Sequence, residues 1–357
     1  MKKILKMWVG KDLPMVHVHL SGNLRKIFAD LIVHPIKRRI AKAYVYHLQK
    51  FYGLTVIGIT GSAGKTTTKE MIAGVLRLSD KTVWSKENID PIFNIPATIL
   101  KCTPKTKYLI LEMGVEYQKE MDFYLWLVRP NIGVITNIFP THTLYFGDEK
   151  GVFKEKSKLV QKTKVAVLNS DDKYLYSLKD KISANICWFK SDVNPNIQNE
   201  NTARVVCQVL GIEEKTIGKG IKGYQIQKHR LNLIRHKSGA YIFDDSYNSN
   251  PEAFKKSLNY FLKIAGNNKK IAVVGDMLEL GNIEVMEHKK IGKEIKSKGF
   301  RKIIGVGNLV KFITNDVYLS YLPALQEVKK YLEPNTYIFI KGSRSMGLDK
   351  LVDKLVS

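Results

Sequence analysis

Ile57-Gly-Ile-Thr-Gly-Ser-Ala-Gly-Lys-Thr-Thr-Thr68 continues a short apolar run, Leu54 to Ile59, and leads into a helical pattern. A strand that runs through a glycine loop into a helix is a phosphate-binding unit. Gly61 and Gly64 let backbone N–H groups close around phosphate oxygens, and the helix N-terminus adds its dipole. Lys65 is placed to reach β and γ phosphates and Thr66 to ligate magnesium, while Ser62, Ala63 and Thr67 complete the loop's contacts with a nucleoside triphosphate. Ile59 occupies the position where the longer form of this loop has its first glycine, so the working segment is Gly61-x-x-Gly64-Lys65-Thr66.

Outward from the loop, short apolar runs alternate with helical patterns. Thr55 to Thr60, Tyr108 to Glu112, Ile132 to Asn137 and Val165 to Asn169 read as strands of a parallel α/β sheet. A helix near Thr202 to Leu210 and a turn from Gly218 to Gly223 are expected to close this domain. A second run starts at Leu231, with strands near Ala240 to Asp244, Lys270 to Gly275, Lys302 to Val306 and Tyr337 to Lys341, and helices starting near Pro251, Glu284 and Leu348. The fold class is therefore α/β: a phosphate-loop ATPase domain over residues 53–224, a Rossmann-like domain over 225–357, and a short helical N-terminal segment over 1–52. No G-x-G-x-x-G follows the first strand of the second run, so dinucleotide binding is not indicated.

The 357 residues, 44% of them hydrophobic, suffice for two or three real cores. No stretch approaches the roughly 18 consecutive apolar residues of a membrane span, and the start Met1-Lys-Lys-Ile-Leu-Lys lacks the apolar continuation of a signal peptide. Cys102, Cys187 and Cys207 are far apart and lack C-x-x-C spacing, which points to a reducing cytoplasm and no structural zinc. Fifty-eight Lys and Arg against 33 Asp and Glu give a formal charge of +25. These cations are spread without aromatic interleaving, so nucleic acid is not an expected partner.

Leu24 to Tyr52 places apolar residues at helical spacing among Arg25, Lys26, Lys37, Arg38, Arg39 and Lys42, with Pro35 expected to break or kink the helix. A basic amphipathic helix of this kind suits peripheral contact with an anionic membrane; packing on its own domain is the other reading.

A triphosphate site needs a metal carboxylate. Glu112, at the end of the apolar run Leu109-Ile-Leu, is positioned to supply it. The next run ends in Thr136-Asn137, and His142 follows on a loop. Lys156 comes 14 residues later, within Val152-Phe-Lys-Glu-Lys156-Ser-Lys-Leu-Val160.

This order of elements resembles the Mur ligases. The glycine-lysine-threonine loop, Glu112-Met-Gly114, Asn137 to His142, and Lys156 to Leu159 all match the family pattern. His229-Arg-Leu231 stands where the family has Gly-Arg-Leu, and Asp244-Asp-Ser-Tyr-Asn-Ser-Asn-Pro251 matches Asp-Asp-x-Tyr-Asn-Ala-Asn-Pro. Gly275-Asp-Met-Leu-Glu-Leu-Gly281 and Lys341-Gly-Ser-Arg-Ser-Met346 resemble motifs of the branch that adds D-alanyl-D-alanine to a UDP-linked muramoyl tripeptide.

The resemblance implies an ATP-dependent, ADP-forming amide ligase that works through an acyl phosphate, with magnesium. It implies that Lys65, His142 and Lys156 are catalytic, that Thr66 and Glu112 hold one magnesium, and that His142 and a carbamylated Lys156 serve a second. Asn199, Arg230, Asp245, Tyr247 and Asn250 would contact the nucleotide, while Asn88, Lys341, Ser343 and Arg344 would contact the muropeptide and amine. A cytoplasmic monomer is the expected state.

Two departures lie on the acceptor side. The first fifty residues are too few for the family's UDP-binding domain, and Asp90-Pro91 and Asn94 replace the usual Asn-Asn and Gly. A Mur-like ligase for another acceptor, of polyglutamate, cyanophycin or folate type, and a non-catalytic nucleotide-binding scaffold are the competing readings. Retention of Lys65, Glu112, His142 and Lys156 together argues against a scaffold.

Overall fold

β1 (Thr55–Thr60) is a run in which five of six residues are buried, and it has parallel partners on both sides. Burial on both faces explains why it reads as continuously apolar rather than alternating. The computed structural model describes residues 2–10, 13–18, 23–86, 89–141, 143–224 and 228–357. With β2 (Thr82–Trp84), β3 (Tyr108–Glu112), β4 (Ile132–Ile135), β5 (Val165–Asn169) and β6 (Asn185–Phe189), β1 forms a six-stranded parallel sheet in the order β2-β3-β1-β4-β5-β6. Chain order reverses across β1, whose neighbours are β3 and β4. That reversal opens a crevice at the carboxyl end of the strand, where an α/β sheet binds ligands.

Helices cover both faces of this sheet. Lys65–Leu76, Pro195–Val209 and Glu214–Lys222 bury one face around Ile57, Ile72 and Val206. Pro91–Ile99, Glu120–Leu127 and the N-terminal segment bury the other around Val56, Ile95 and Phe123.

The expected turn from Gly218 to Gly223 is instead the second half of helix Glu214–Lys222. Its glycines serve close approach rather than chain reversal. A Cβ on Gly220 would fall 2.5 Å from Val75 Cα, and one on Gly74 would fall 3.2 Å from the Gly220 carbonyl oxygen, so two helices meet backbone to backbone.

Pro35 does not break the N-terminal helix. Leu24–Phe28, a π-helical turn at Ala29–Val33 and His34–Phe51 run on continuously, with Pro35 in the first turn of the last stretch. The wider π turn changes which carbonyls are bonded just where proline supplies no N–H. Arg38, one of the cations of the helix read as suiting an anionic membrane, is buried. It donates to the Val9 carbonyl at 2.9 Å and lies over the rings of Phe93 and Phe123, and burial lowers its pKa to about 10. Arg39 is likewise turned aside, stacked on Trp8 and bonded to the carbonyls of Pro35 and Met7.

The second unit has its own mixed sheet. β7 (Asn232–Arg235), β8 (Tyr241–Asp244), β9 (Lys269–Gly275), β10 (Lys302–Val306), β11 (Val317–Tyr318) and β12 (Thr336–Lys341) lie in the order β11-β10-β9-β12-β8-β7. Only the β7–β8 pair is antiparallel. Two apolar layers, around Ile338 and Leu351 on one face and Phe243 and Phe261 on the other, enclose this sheet. By internal contacts the chain divides into residues 1–139, 145–191 and 197–224 as one unit and 140–144, 192–196 and 225–357 as the other. No described helix is long and apolar enough to cross a membrane. Cys102 and Cys207 are buried free thiols whose pKa burial raises to about 12, which leaves them unreactive.

Candidate active site

The loop after β1 is held by the residues that follow β4. The Ser62 N–H donates to the Asn137 carbonyl at 3.0 Å, and the Ala63 N–H donates to Asn137 Oδ1 at 2.9 Å. The Thr136 hydroxyl donates to the Ala63 carbonyl at 2.6 Å, and the Ser62 hydroxyl donates to the Phe139 carbonyl at 2.9 Å. Gly61 and Gly64 have φ of +143° and +79°, values that suit glycine. Space enforces the same choice: a Cβ on Gly61 would sit 1.9 Å from Thr136 Oγ1, and one on Gly64 would sit 2.4 Å from Asn199 Oδ1. Thr136 and Asn137 thus clamp the loop, a role that their position at the end of a strand did not signal.

Lys65 donates to the Gly61 carbonyl at 2.9 Å, which keeps its ammonium over the loop. The Thr66 hydroxyl donates to Glu112 Oε1 at 3.0 Å, so the two residues read as magnesium ligands converge. Glu112 reaches this point because β3 pairs in register with β1, Glu112 opposite Ile59, and the Ser85 hydroxyl accepts its N–H at 3.0 Å. Lys69, absent from the sequence reading, is fully buried with its ammonium 3.4 Å from Glu112 Oε2 and 3.1 Å from Glu70 Oε1. These are ion pairs without hydrogen-bond alignment. Lys69 faces inward one helical turn after Lys65, which a short lysine-rich helix does not reveal.

Lys156, on helix Glu149–Ser157, is buried, and no hydrogen bond or ion pair engages its amine among the described residues. Burial, followed by repulsion from Lys65, lowers its pKa from 10.5 to about 7, against the opposing pull of Glu120, Glu155 and Glu116. Asn199 sits in helix Pro195–Val209, which starts earlier than the expected Thr202, and its Oδ1 accepts weakly from the Thr68 hydroxyl at 3.4 Å. The structure therefore sets Asn199 beside the phosphate loop. Asn88 and His142 lie outside the described residues.

The sites predicted in the second unit also gather. Asp245 and buried Lys341, expected to serve different substrates, form an ion pair at 2.5 Å, and Lys341 also donates to the Asn248 carbonyl at 2.9 Å. Two guanidinium groups approach Tyr247, Arg230 at 3.8 Å and Arg344 at 5.1 Å from the ring centre, and the Arg344 Nη1 donates to its hydroxyl at 3.2 Å. Asn250 caps helix Pro251–Ala265 by accepting the Ala253 N–H at 2.9 Å, which gives the Asn-Pro pair a structural role. The Ser343 hydroxyl accepts the Leu278 N–H at 2.9 Å and its own N–H donates to the Asp276 carbonyl, so the Gly275 to Gly281 and Lys341 to Met346 motifs are one structure. Asp276 in turn accepts the N–H groups of Asn308, Leu309 and Val310.

His229, where the family pattern has glycine, has φ of +65°, a conformation that favours glycine. Its Nδ1 is bonded to buried Asp244 at 2.9 Å, which offsets that backbone cost. Burial raises the Asp244 pKa, against hydrogen bonds from Ser246 and the charge of His229.

A magnesium nucleotide fits the first unit. The glycine cradle is a space that a Cβ would fill, and the Thr66 hydroxyl and Glu112 carboxylate meet at its edge. Among the described residues no group of three or more His, Cys, Asp or Glu is clustered. A protein that supplies one carboxylate and one hydroxyl, leaving the rest of the shell to phosphates and water, suits magnesium.

These features define an α/β nucleotide-binding architecture built on a phosphate loop. The chain belongs to the Mur ligase family: residues 59–227 match the Mur ligase middle domain, and residues 229–344 match the Mur ligase, glutamate ligase domain. Within it, the chain is 29% identical over 363 residues to the UDP-N-acetylmuramoyl-tripeptide--D-alanyl-D-alanine ligase of Bacillus subtilis (strain 168), covering 89% of this chain and 79% of that one. It is 24% identical over 347 residues to the Escherichia coli (strain K12) enzyme of the same name, covering 84% and 76%. The fold is shared with the crystal structure of MurF from Acinetobacter baumannii at a TM-score of 0.80 and 24% identity, covering 89% of this chain and 80% of that one. It is also shared with MurF ligase from Thermotoga maritima, solved with ADP, at a TM-score of 0.80 and 20% identity, covering 94% and 86%.

Proposed function

We propose that this protein is an ATP-dependent, ADP-forming peptide ligase that joins D-alanyl-D-alanine to a muramoyl tripeptide in peptidoglycan synthesis. The observation that carries the reading is the convergence of Thr66 and Glu112 at a glycine cradle overhung by Lys65, with Lys156 buried in the same unit. The relatives' names supply the acceptor and the amine.

In this reaction the tripeptide carboxylate attacks the γ phosphorus, ADP leaves, and the dipeptide amine then attacks the acyl carbon, expelling phosphate and losing a proton. Lys65 neutralises charge on the transferring phosphoryl group, and the N–H groups that begin helix Lys65–Leu76 orient it. Magnesium, when bound, would be held by Thr66 and Glu112, and it supplies charge stabilisation to the phosphates. Lys156 adds through its neutral amine to carbon dioxide, forming an N–C bond and losing a proton, and so becomes a carboxylate able to ligate metal. Burial, which lowers the Lys156 pKa, favours the neutral amine that this addition needs. In the second unit we assign Arg344, beside Tyr247, to the carboxylate of the incoming dipeptide, the partner a guanidinium pairs with best. Ser343 and Lys341 act as positioning residues through Leu278 and Asp245.

The test is phosphate release with ATP, a UDP-linked muramoyl tripeptide and D-alanyl-D-alanine, run beside single amino acids, glutamate and a lipid-linked muropeptide. Release that requires both the tripeptide and the dipeptide supports the assignment. Release with glutamate alone as amine would overturn it in favour of a polyglutamate-type ligase.

A further inference from the structure

Leu24, Phe28, Ile32, Ile36 and Ile40 recur every four residues along the N-terminal helix, and all five are exposed, Leu24 to 81%, Phe28 to 60% and Ile40 to 55%. In an α-helix each four-residue step advances about 40°, so such a row winds away from any one face. The π turn at Ala29–Val33 rotates the chain less per residue and takes back part of that drift. The result is an apolar stripe on one side of the helix. The opposite side, Pro35, Ala41, Val45 and Leu48, is buried in the first unit.

Cations flank the stripe one position on from its apolar residues, about 100° round the helix: Arg25, which is exposed, follows Leu24, and Lys37 follows Ile36. Helix Lys2–Val9 is fixed alongside by Trp8, which donates to the Leu31 carbonyl, and by Arg39, which donates to the Met7 carbonyl. It adds exposed Ile4 and Met7 together with Lys3 and Lys6. Residues 1–53 hold eleven Lys and Arg against two Asp and no Glu, and the one carboxylate among the described residues, Asp30, is buried.

We propose that this face docks on the surface of an anionic lipid bilayer, with the stripe in the headgroup boundary and the flanking cations on lipid phosphates. An exposed apolar row framed by one sign of charge fits a negative, oily interface. It does not fit a second copy of the same chain, because facing stripes would bring like charges together. The proposal does not depend on which substrates the ligase uses.

Sedimentation of the full chain with phosphatidylcholine vesicles, with and without phosphatidylglycerol, at low and high salt, tests this. Expected is binding to the phosphatidylglycerol vesicles that weakens with salt, falls more than about tenfold in Phe28→Glu/Ile36→Glu, and loses its preference for anionic lipid in Lys6→Gln/Arg25→Gln. Both substitutions fall on exposed positions, and a Phe28→Ser/Ile36→Ser pair with an unchanged melting temperature gives the same reading without added charge. Vesicle binding equal in wild type and stripe variants, or none by the wild type, overturns the proposal. A wild-type dimer that the stripe variants dissolve would assign the face to self-association and overturn it too.

Discussion

Repulsion from Lys65 stands second only to burial among the causes that bring the Lys156 amine to about pH 7. The residue proposed to steady the triphosphate therefore also readies the residue proposed as a metal ligand. Replacing Lys65 by Met should abolish triphosphate binding and raise the Lys156 pKa. Titration of reductively methylated lysines by NMR would follow the shift, and an unmoved Lys156 resonance would contradict the coupling.

Lys156 also gives stability a defined pH dependence. Its pKa is lower in the folded chain than the ordinary 10.5, so unfolding takes up a proton between about 7 and 10.5. Stability from this group accordingly rises with pH across that window, and its burial cost is felt in full below about 7. In buffer free of carbon dioxide, Lys156→Met should melt higher than wild type at pH 6, with the gap closing by pH 10, while ligation is lost. Bicarbonate should stabilise the wild type and leave the variant unmoved.

Alanine at Gly61 adds strain of about 1–3 kcal/mol at a positive φ and drives a methyl group into Thr136. The expected outcome is loss of nucleotide binding with a moderate fall in urea midpoint. Thr136→Ser retains the hydroxyl that bonds the Ala63 carbonyl and should keep binding within a few-fold of wild type.

In the Asp245–Lys341 pair Lys341 is buried and Asp245 is largely covered, so removal of either charge strands the other. Each single change to Asn or Met should cost about 3–5 kcal/mol in chemical denaturation, and the double change should cost much less than the sum. Additive losses would mean that the two act independently.

At His229 the backbone favours glycine while the side chain holds Asp244. Both His229→Ala and His229→Gly lose that bond, but only alanine retains the left-handed cost. The glycine variant should be more stable than the alanine variant by about 1 kcal/mol, measured as a difference in urea midpoint.

The elements with strong apolar runs were legible in the chain: β1, β3, β5 and β9 read directly because both their faces are buried. β2 and β6 did not, because one is three residues long and the other is a half-exposed edge strand. The phosphate loop was legible because its glycines, lysine and threonine are contiguous. What escaped were partnerships across the sequence: the clamp of Thr136 and Asn137, the inward turn of Lys69 and the pairing of Asp245 with Lys341. Local pattern also misled at Arg38. A cation at the edge of an amphipathic helix usually meets water, yet the rings of Phe93 and Phe123, contributed by two other helices, enclose this one.

The contact of Gly220 with Val75 sets a limit on how the chain can be shortened. The helix that begins at the phosphate loop is gripped at its far end by helix Glu214–Lys222, through backbone atoms with no side chain between them. A truncation before residue 214 uncovers Val75 and Leu76 and frees the helix that carries Lys65 and Thr66. A minimal nucleotide-binding fragment must therefore extend through Lys222, and a cleavage site or affinity tag placed between Leu210 and Gly220 will be felt at the loop.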